Sequence, residues 1–204
     1  MGLKVLVTGF EPFLEFKTNP TQKIVNLLDK QEHNGINYVG KVLLVDYSKI
    51  EDTLKGYINE SKPDLIIGTG LAAGRSRISI EKIAINYKYS TQPDNAGKKE
   101  SGEKIDPKIA DGLFSMFDVE GLYEKLNSLF IPTEISLTAG AYLCNYSMFI
   151  IIRESMRRGI RGGFIHFPAD TELSSKMPNL FLPSMTIEMM IRAIEIIAEH
   201  ESFR

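Results

Sequence analysis

A three-layer α/β/α sandwich around a mostly parallel twisted sheet is the fold class this sequence predicts, and three observations predict it. Short apolar runs such as KVLVT (4–8), DLIIG (64–68) and the stretch at 163–167 have strand length and no polar face, as strands covered on both sides do. Helical patterns separate these runs, which is the alternation of an α/β fold. With 204 residues and 43% hydrophobic composition, the chain is long enough for one sizeable core and short enough for a single domain spanning 1–204.

The elements follow in order. The first strand, 4–8, ends at Gly9, and the loop GFEPF leads through Asn19-Pro20-Thr21 into a helix carrying Ile24, Leu27 and Leu28. Residues 36–45 are β-rich. Ser48 and Glu51 have capping-box spacing and open a helix through Leu54, Tyr57 and Ile58. A strand at 64–68 is closed by the Gly-rich loop GTGLAAGR, and 77–86 (RISIEKIAIN) alternates as another strand, antiparallel or protruding because no helix precedes it. Residues 90–107 are polar with Pro and Gly, and read as a long mobile loop. A helix near 120–129, a strand at 134–138, a helix after Tyr142, a strand at 163–167 and a loop with three prolines complete the order. The last helix, 185–199, sets Ile187, Met190, Ile191, Ile194 and Ile197 on one face.

Bulk properties narrow the function classes. A net charge of −2 gives no global pull toward nucleic acid or an anionic membrane. No apolar run is long enough to span a bilayer. The N-terminus enters a strand directly, without signal-peptide architecture. A lone cysteine forms no intramolecular disulfide, and a cytoplasmic protein is the expectation. One cysteine and three scattered histidines lack metal-ligand spacing, so no metal is expected.

The only cysteine, Cys144, stands where a Gly140 turn opens an apolar helix. A thiol in a first helical turn meets unpaired N–H groups and the positive end of the dipole, which favour thiolate and can hold an oxyanion. Simple burial is the competing reading. Of the histidines, His33 lies in a polar loop and His200 at the C-terminal end, whereas His166 ends an apolar strand. If the strand before Cys144 runs parallel to that of His166, both reach the carboxyl edge where α/β sites gather. A core histidine bonded to a carbonyl is the alternative for His166. In RISIEKIAIN the apolar parity flips between Ile80 and Ile83, so either Glu81 or Lys82 lies on an apolar face, or a bulge intervenes. Glu81 is therefore a candidate to orient His166, against the reading of a surface Glu–Lys pair. GTGLAAGR could cradle phosphate but lacks P-loop and GxGxxG spacing. Arg153, Arg157, Arg158 and Arg161 read as a solvated face near a helix C-terminus.

VLVTGFEPF with Asn19-Pro20, GLAAGRSRISIEKIAIN, PDNAG, TAGAYLCN, GFIHFP and PSMTIEMMIRAIEI together resemble, in order and over nearly the whole chain, the type I pyroglutamyl peptidases (pyrrolidone carboxyl peptidases). That resemblance implies an α/β/α sandwich and a cofactor-free cysteine exopeptidase that removes an N-terminal pyroglutamyl residue from peptides. It implies a homo-oligomer, tetramer or dimer, and a triad of Cys144, His166 and Glu81. It further implies a substrate pocket of Phe10, Phe13 and Tyr142, the last in place of the more usual Phe, with Leu71 beside it. An apolar pocket suits the uncharged lactam, although Phe10 and Phe13 also fit a loop plug packed on the core. Two positions depart from the pattern. Leu14-Glu15 replace the common Gly-Gly after GFEPF, and Thr91 stands where an arginine near the oxyanion is usual. Loss of such a donor costs on the order of 3 kcal/mol of transition-state stabilisation. Two rivals follow: a phosphorylase or nucleosidase using GTGLAAGR, and a binding protein that kept the pocket but lost turnover.

Overall fold

The structure, a computed structural model, describes residues 2–202. The first half contains β1 (Leu3–Phe10), α1 (Pro20–Leu28), β2 (Glu32–His33), β3 (Ile36–Leu43), α2 (Ile50–Ser61) and β4 (Leu65–Leu71). A run of short strands follows: β5 (Ile78–Glu81), β6 (Ile83–Ile85), β7 (Lys88–Tyr89), β8 (Ser101–Glu103) and β9 (Gly112–Phe114). Then come α3 (Val119–Ser128), β10 (Thr133–Ser136), α4 (Leu143–Arg158), β11 (Arg161–Phe167), β12 (Ala169–Asp170), α5 (Thr171–Lys176), β13 (Ser184–Met185) and α6 (Ile187–Ser202).

Seven strands form the main sheet in the order β10-β5-β11-β4-β1-β3-β2. Parallel pairing joins β3 to β1, β1 to β4 and β4 to β11. Alternate residues of these strands feed two cores. Val5, Val7, Ile67 and Ile165 pack under α1, α3 and α6, while Leu6, Ile66 and Phe164 pack under α2 and α4. This is the expected sandwich. In α4 the run Ile150-Ile151-Ile152 is wholly buried, each side chain contributing roughly 1.5–3 kcal/mol. Gly159 ends that helix in the left-handed region (φ 66), where a glycine avoids the Cβ penalty.

Several expectations need correction. The strand before Cys144 is not parallel to that of His166: β10 runs parallel to β5, and β5 runs antiparallel to β11. Cys144 still reaches the carboxyl edge, because α4 folds back antiparallel to β11 through the Gly159 turn. The capping box does not form. Lys49 is the N-cap of α2 and makes no side-chain cap bond, and Asp46 shapes the entry by accepting from the Ser48 N–H at 2.8 Å. Leu27, assigned to an apolar helix face, is 56% exposed. The 77–86 segment is two strands broken at Lys82, where the chain leaves the main sheet and pairs β6 with β9. That break is the parity flip: Glu81 stays inside, and Lys82 turns out to pair with Glu120.

Residues 90–107 are a pinned strap rather than a mobile loop. Asp94 accepts from the N–H groups of Tyr47 (2.9 Å), Ala96 (3.0 Å) and Lys98 (2.8 Å). The Asn95 side-chain amide donates to Glu11 Oε1 and the Pro12 carbonyl, each at 2.9 Å. The Asn86 amide donates to three carbonyls, at Asp106, Ile109 and Ala110. Hydrogen bonds, not apolar burial, hold this segment, so hydropathy misses it. Arg153 also departs from a solvated face. It is nearly buried and bonds Glu51 (2.6 Å) and Asp106 (3.2 Å), tying α4 to α2 and to the strap.

Candidate active site

The site lies where β1, β4 and β11 end and α4 begins. On β11, His166 faces α4. Glu81 on β5 stands opposite Phe164, and His166 stands opposite Ser79, so the two side chains are diagonal neighbours on one face of an antiparallel pair. Glu81 is fully buried, and its Oε1 lies 2.8 Å from His166 Nδ1. The same oxygen accepts from Arg75 Nη1 at 2.9 Å. Two cationic donors thus offset the cost of a buried carboxylate.

Cys144 lies on the other side of the imidazole, half-exposed rather than packed away. Gly70, paired with His166 across β4 and β11, shows how tightly the groups meet. A Cβ there would lie 2.9 Å from Cys144 Sγ and 3.0 Å from His166 Nε2. The glycine is the floor beneath the thiol and the ring. GTGLAAGR therefore uses its glycine for close approach and its arginine for Glu81, and the phosphate-cradle reading loses both. Burial pulls the basicity of His166 down, but the adjoining Cys144 thiolate and the Glu81 carboxylate more than reverse that, raising it from 6.5 to about 9.

Cys144 is the second residue of α4, whose N-cap Tyr142 makes no side-chain cap bond. The first N–H groups of a helix have no intrahelical partner, so those at the start of α4 remain available beside the thiol. Asn145 fixes this end of the helix: its Oδ1 accepts from the Ile85 N–H, and its amide donates to the carbonyls of Ile85 and Tyr87. Two hollows flank the thiol. The first, against Cys144, is lined by Phe10, Phe13, Val45, Leu71, Tyr142 and Leu143, and encloses about 10 Å³. That is space for about one water. The second, of about 290 Å³, shares Phe13 and Tyr142 and adds Leu14, Tyr89, Thr91 and Gln92. Both sequence departures, Leu14 and Thr91, thus meet in one place. The Tyr142 hydroxyl donates to the Pro93 carbonyl at 3.0 Å, anchoring the strap as a Phe would not.

The family model described as pyroglutamyl peptidase matches residues 3–202. The chain belongs to the pyroglutamyl peptidase family. It is 49% identical to pyrrolidone-carboxylate peptidase 1 of Saccharolobus solfataricus, over 97% of this chain and 93% of that protein. It is 40% identical to the pyrrolidone-carboxylate peptidase of Pyrococcus furiosus, over 97% of each. A crystal structure of a mutant pyrrolidone carboxyl peptidase from P. furiosus superposes with a TM-score of 0.95 at 39% identity, covering 99% of both chains. The protein is accordingly a pyroglutamyl peptidase of the cysteine type. All eight residues singled out from the sequence line this one edge, in two groups: Cys144, His166 and Glu81 in the polar line, and Phe10, Phe13, Leu71, Tyr142 and Thr91 around the two hollows. Gly70, Asp94 and Asn145 lie in the motifs with no role assigned from sequence, and Arg75, which with Arg77 is a candidate from sequence to replace the arginine missing at Thr91, instead bonds Glu81. The sequence ends the strand at Gly68 and leaves Gly70 in the Gly-rich loop, whereas β4 runs on to Leu71 and makes Gly70 a glycine inside a strand, a mark of close backbone approach. Among the described residues no group of three His, Cys, Asp or Glu is placed to hold a metal, and no helix is long and apolar enough to cross a membrane.

Proposed function

We propose that Cys144, His166 and Glu81 perform the family's reaction as nucleophile, general acid–base and orienting carboxylate. The observation that carries this is the single imidazole held between a buried carboxylate and the thiol, at the open end of a helix. The Cys144 thiolate attacks the carbonyl carbon of an N-terminal pyroglutamyl residue. The oxyanion is received by N–H groups at the start of α4. His166 passes its proton from Nε2 to the leaving amine, the C–N bond breaks, and a thioester remains. Water then attacks the thioester with His166 as base, releasing pyroglutamate and the thiolate. No cofactor enters these steps. Glu81 keeps Nδ1 protonated and the ring in place, and Arg75 holds Glu81.

Phe10, Phe13, Tyr142 and Leu71 supply the apolar pocket for the lactam. Arg75 is committed to Glu81, so it does not replace the arginine that Thr91 lacks, and the backbone donors carry the oxyanion without it. The protein acts as a single catalytic unit in the cytoplasm. A homo-oligomer is supported by large exposed apolar side chains, Phe130 and Phe181 above all. Release of a fluorescent amine from a pyroglutamyl amide, with Cys144→Ala in parallel, tests the mechanism. Thiol-dependent release absent from the variant is expected. Undiminished release by Cys144→Ala would remove the nucleophile from this account.

A further inference from the structure

The second hollow, of about 290 Å³, adjoins the hollow against Cys144 through Phe13 and Tyr142. We propose that it is the subsite for the residue after the pyroglutamyl group, and that it takes an apolar side chain, leucine or phenylalanine in class. This rests on the catalytic reading above.

Three observations support it. The first is position. Phe10, Val45 and Leu71, which line the hollow against Cys144, are themselves buried, so the rest of the substrate does not pass on their side. The second hollow shares the Phe13 and Tyr142 walls, and Ala141, three residues before the nucleophile, lines it. An extended chain advances roughly 3.3–3.6 Å per residue, which brings the next side chain over these shared walls.

The second observation is chemistry. The lining residues are Phe, Leu, Tyr, Ser, Thr, Gln and Ala, with no ionisable acid or base besides the tyrosine phenols. Leu14 is telling, because its backbone is left-handed (φ 54) while its side chain is 51% exposed. That conformation is cheap for glycine and strained for leucine, so a solvent-facing apolar side chain is kept where backbone preference opposes it. Tyr89 adds a second ring, 45% exposed. Apolar groups held open around a concavity beside a reactive centre are the usual make-up of a ligand site. A carboxylate side chain entering here would lose water without gaining a cation.

The third observation is preorganisation. The Tyr89 N–H donates to the Ala141 carbonyl at 3.0 Å, and the Tyr142 hydroxyl donates to Pro93 at 3.0 Å. The strap wall and the helix wall are thus fixed to each other before substrate arrives, which reduces the ordering cost of binding.

The experiment is a kcat/KM profile over pyroglutamyl-X peptides with X = Leu, Phe, Gly and Asp, for the wild type, Leu14→Gly and Thr91→Arg. The wild type is expected to favour Leu and Phe over Gly and Asp by about tenfold or more, the range one apolar pocket supplies. Leu14→Gly, which relieves the left-handed strain and so folds, is expected to lower the Leu:Gly ratio severalfold. Thr91→Arg places a cation in the hollow and is expected to raise the Asp:Leu ratio. A flat wild-type profile, or variants that scale all four substrates equally, would overturn the subsite while leaving the peptidase reading intact. Cleavage of none of the four would overturn both.

Discussion

Helices α1 and α4 both begin at the carboxyl edge of the parallel strands, on opposite faces of the sheet, yet their first turns are finished differently. At α1, Asn19 Oδ1 accepts from the Thr21 N–H at 3.0 Å, and Pro20 occupies a position that needs no donor. The Asn19 amide reaches back to the Glu11 carbonyl, and Thr21 Oγ1 accepts from the Phe10 N–H. The side chains of Asn19 and Thr21 are thus engaged in holding the chain together. At α4 the N-cap is Tyr142, its hydroxyl is turned to the strap, and no side chain covers the first amides. One end is closed for stability. The other is left open, at some cost to helix stability, and Cys144 stands in the opening.

The largest expected break in this contrast is at the floor beneath the open end. Gly70→Ala puts a methyl group about 3 Å from both Cys144 Sγ and His166 Nε2. Because misplacement of reacting groups by about 1 Å can cost 10²-fold, kcat/KM for a pyroglutamyl amide should fall about 100-fold while cooperative unfolding persists. An unchanged rate would show that the thiol and imidazole do not need this spacing.

Closing the open end is the next test. Tyr142→Asp supplies a capping carboxylate and should lower kcat about tenfold below Tyr142→Ala, the control for the lost pocket wall, while the helix gains stability. Equal kcat in the two variants would mean that these amides do not receive the oxyanion.

The pH response separates the two ends further, since only α4 has a titrating partner in this range. His166 is raised from 6.5 to about 9. A raised folded value means that the imidazolium stabilises the fold fully below about 6.5, and that this contribution is lost as pH climbs through about 9. Denaturant titrations across that window should show a decline that His166→Gln lacks. In kinetics, the basic limb of kcat/KM should lie near 9. Arg75→Met, which removes the cation that shares Glu81 with His166, should move this basic limb upward, because Glu81 then acts on the imidazolium without a competing cation, and Arg75→Lys should restore part of the difference. An unmoved limb would make Arg75 a tether for its loop alone.

The smallest effect is expected at the closed end. Asn19→Ala should cost about 1 kcal/mol of stability, seen as a lower denaturation midpoint, with kcat per folded molecule preserved. A loss of kcat without a loss of stability would contradict the division of labour between the two helices.

Much of the site was legible before any coordinates. Cys144 stood out as the only thiol, at a turn-to-helix junction. His166 was reached by eliminating His33, which lies exposed in β2, and His200, which bonds Asp118 at 2.9 Å. Glu81 was exposed by parity, because a period of two admits no charge on an apolar face without a break or a partner. The partner was invisible. Nothing in the spacing of Arg75 and Glu81 says that a guanidinium and an imidazole will converge on one carboxylate oxygen.

By itself, then, the sequence determined the alternation of strands and helices, the apolar faces and the three reactive side chains, because periodicity and local chemistry act within a few residues. The antiparallel course of β5 was already an expectation, since no helix precedes it. Tertiary structure alone decided that β10 runs against β11, that 90–107 forms a strap, and that Gly70 lies beneath the thiol. Those features depend on pairing between segments far apart in the chain, where direction is chosen by closing two cores over one sheet and not by any local preference.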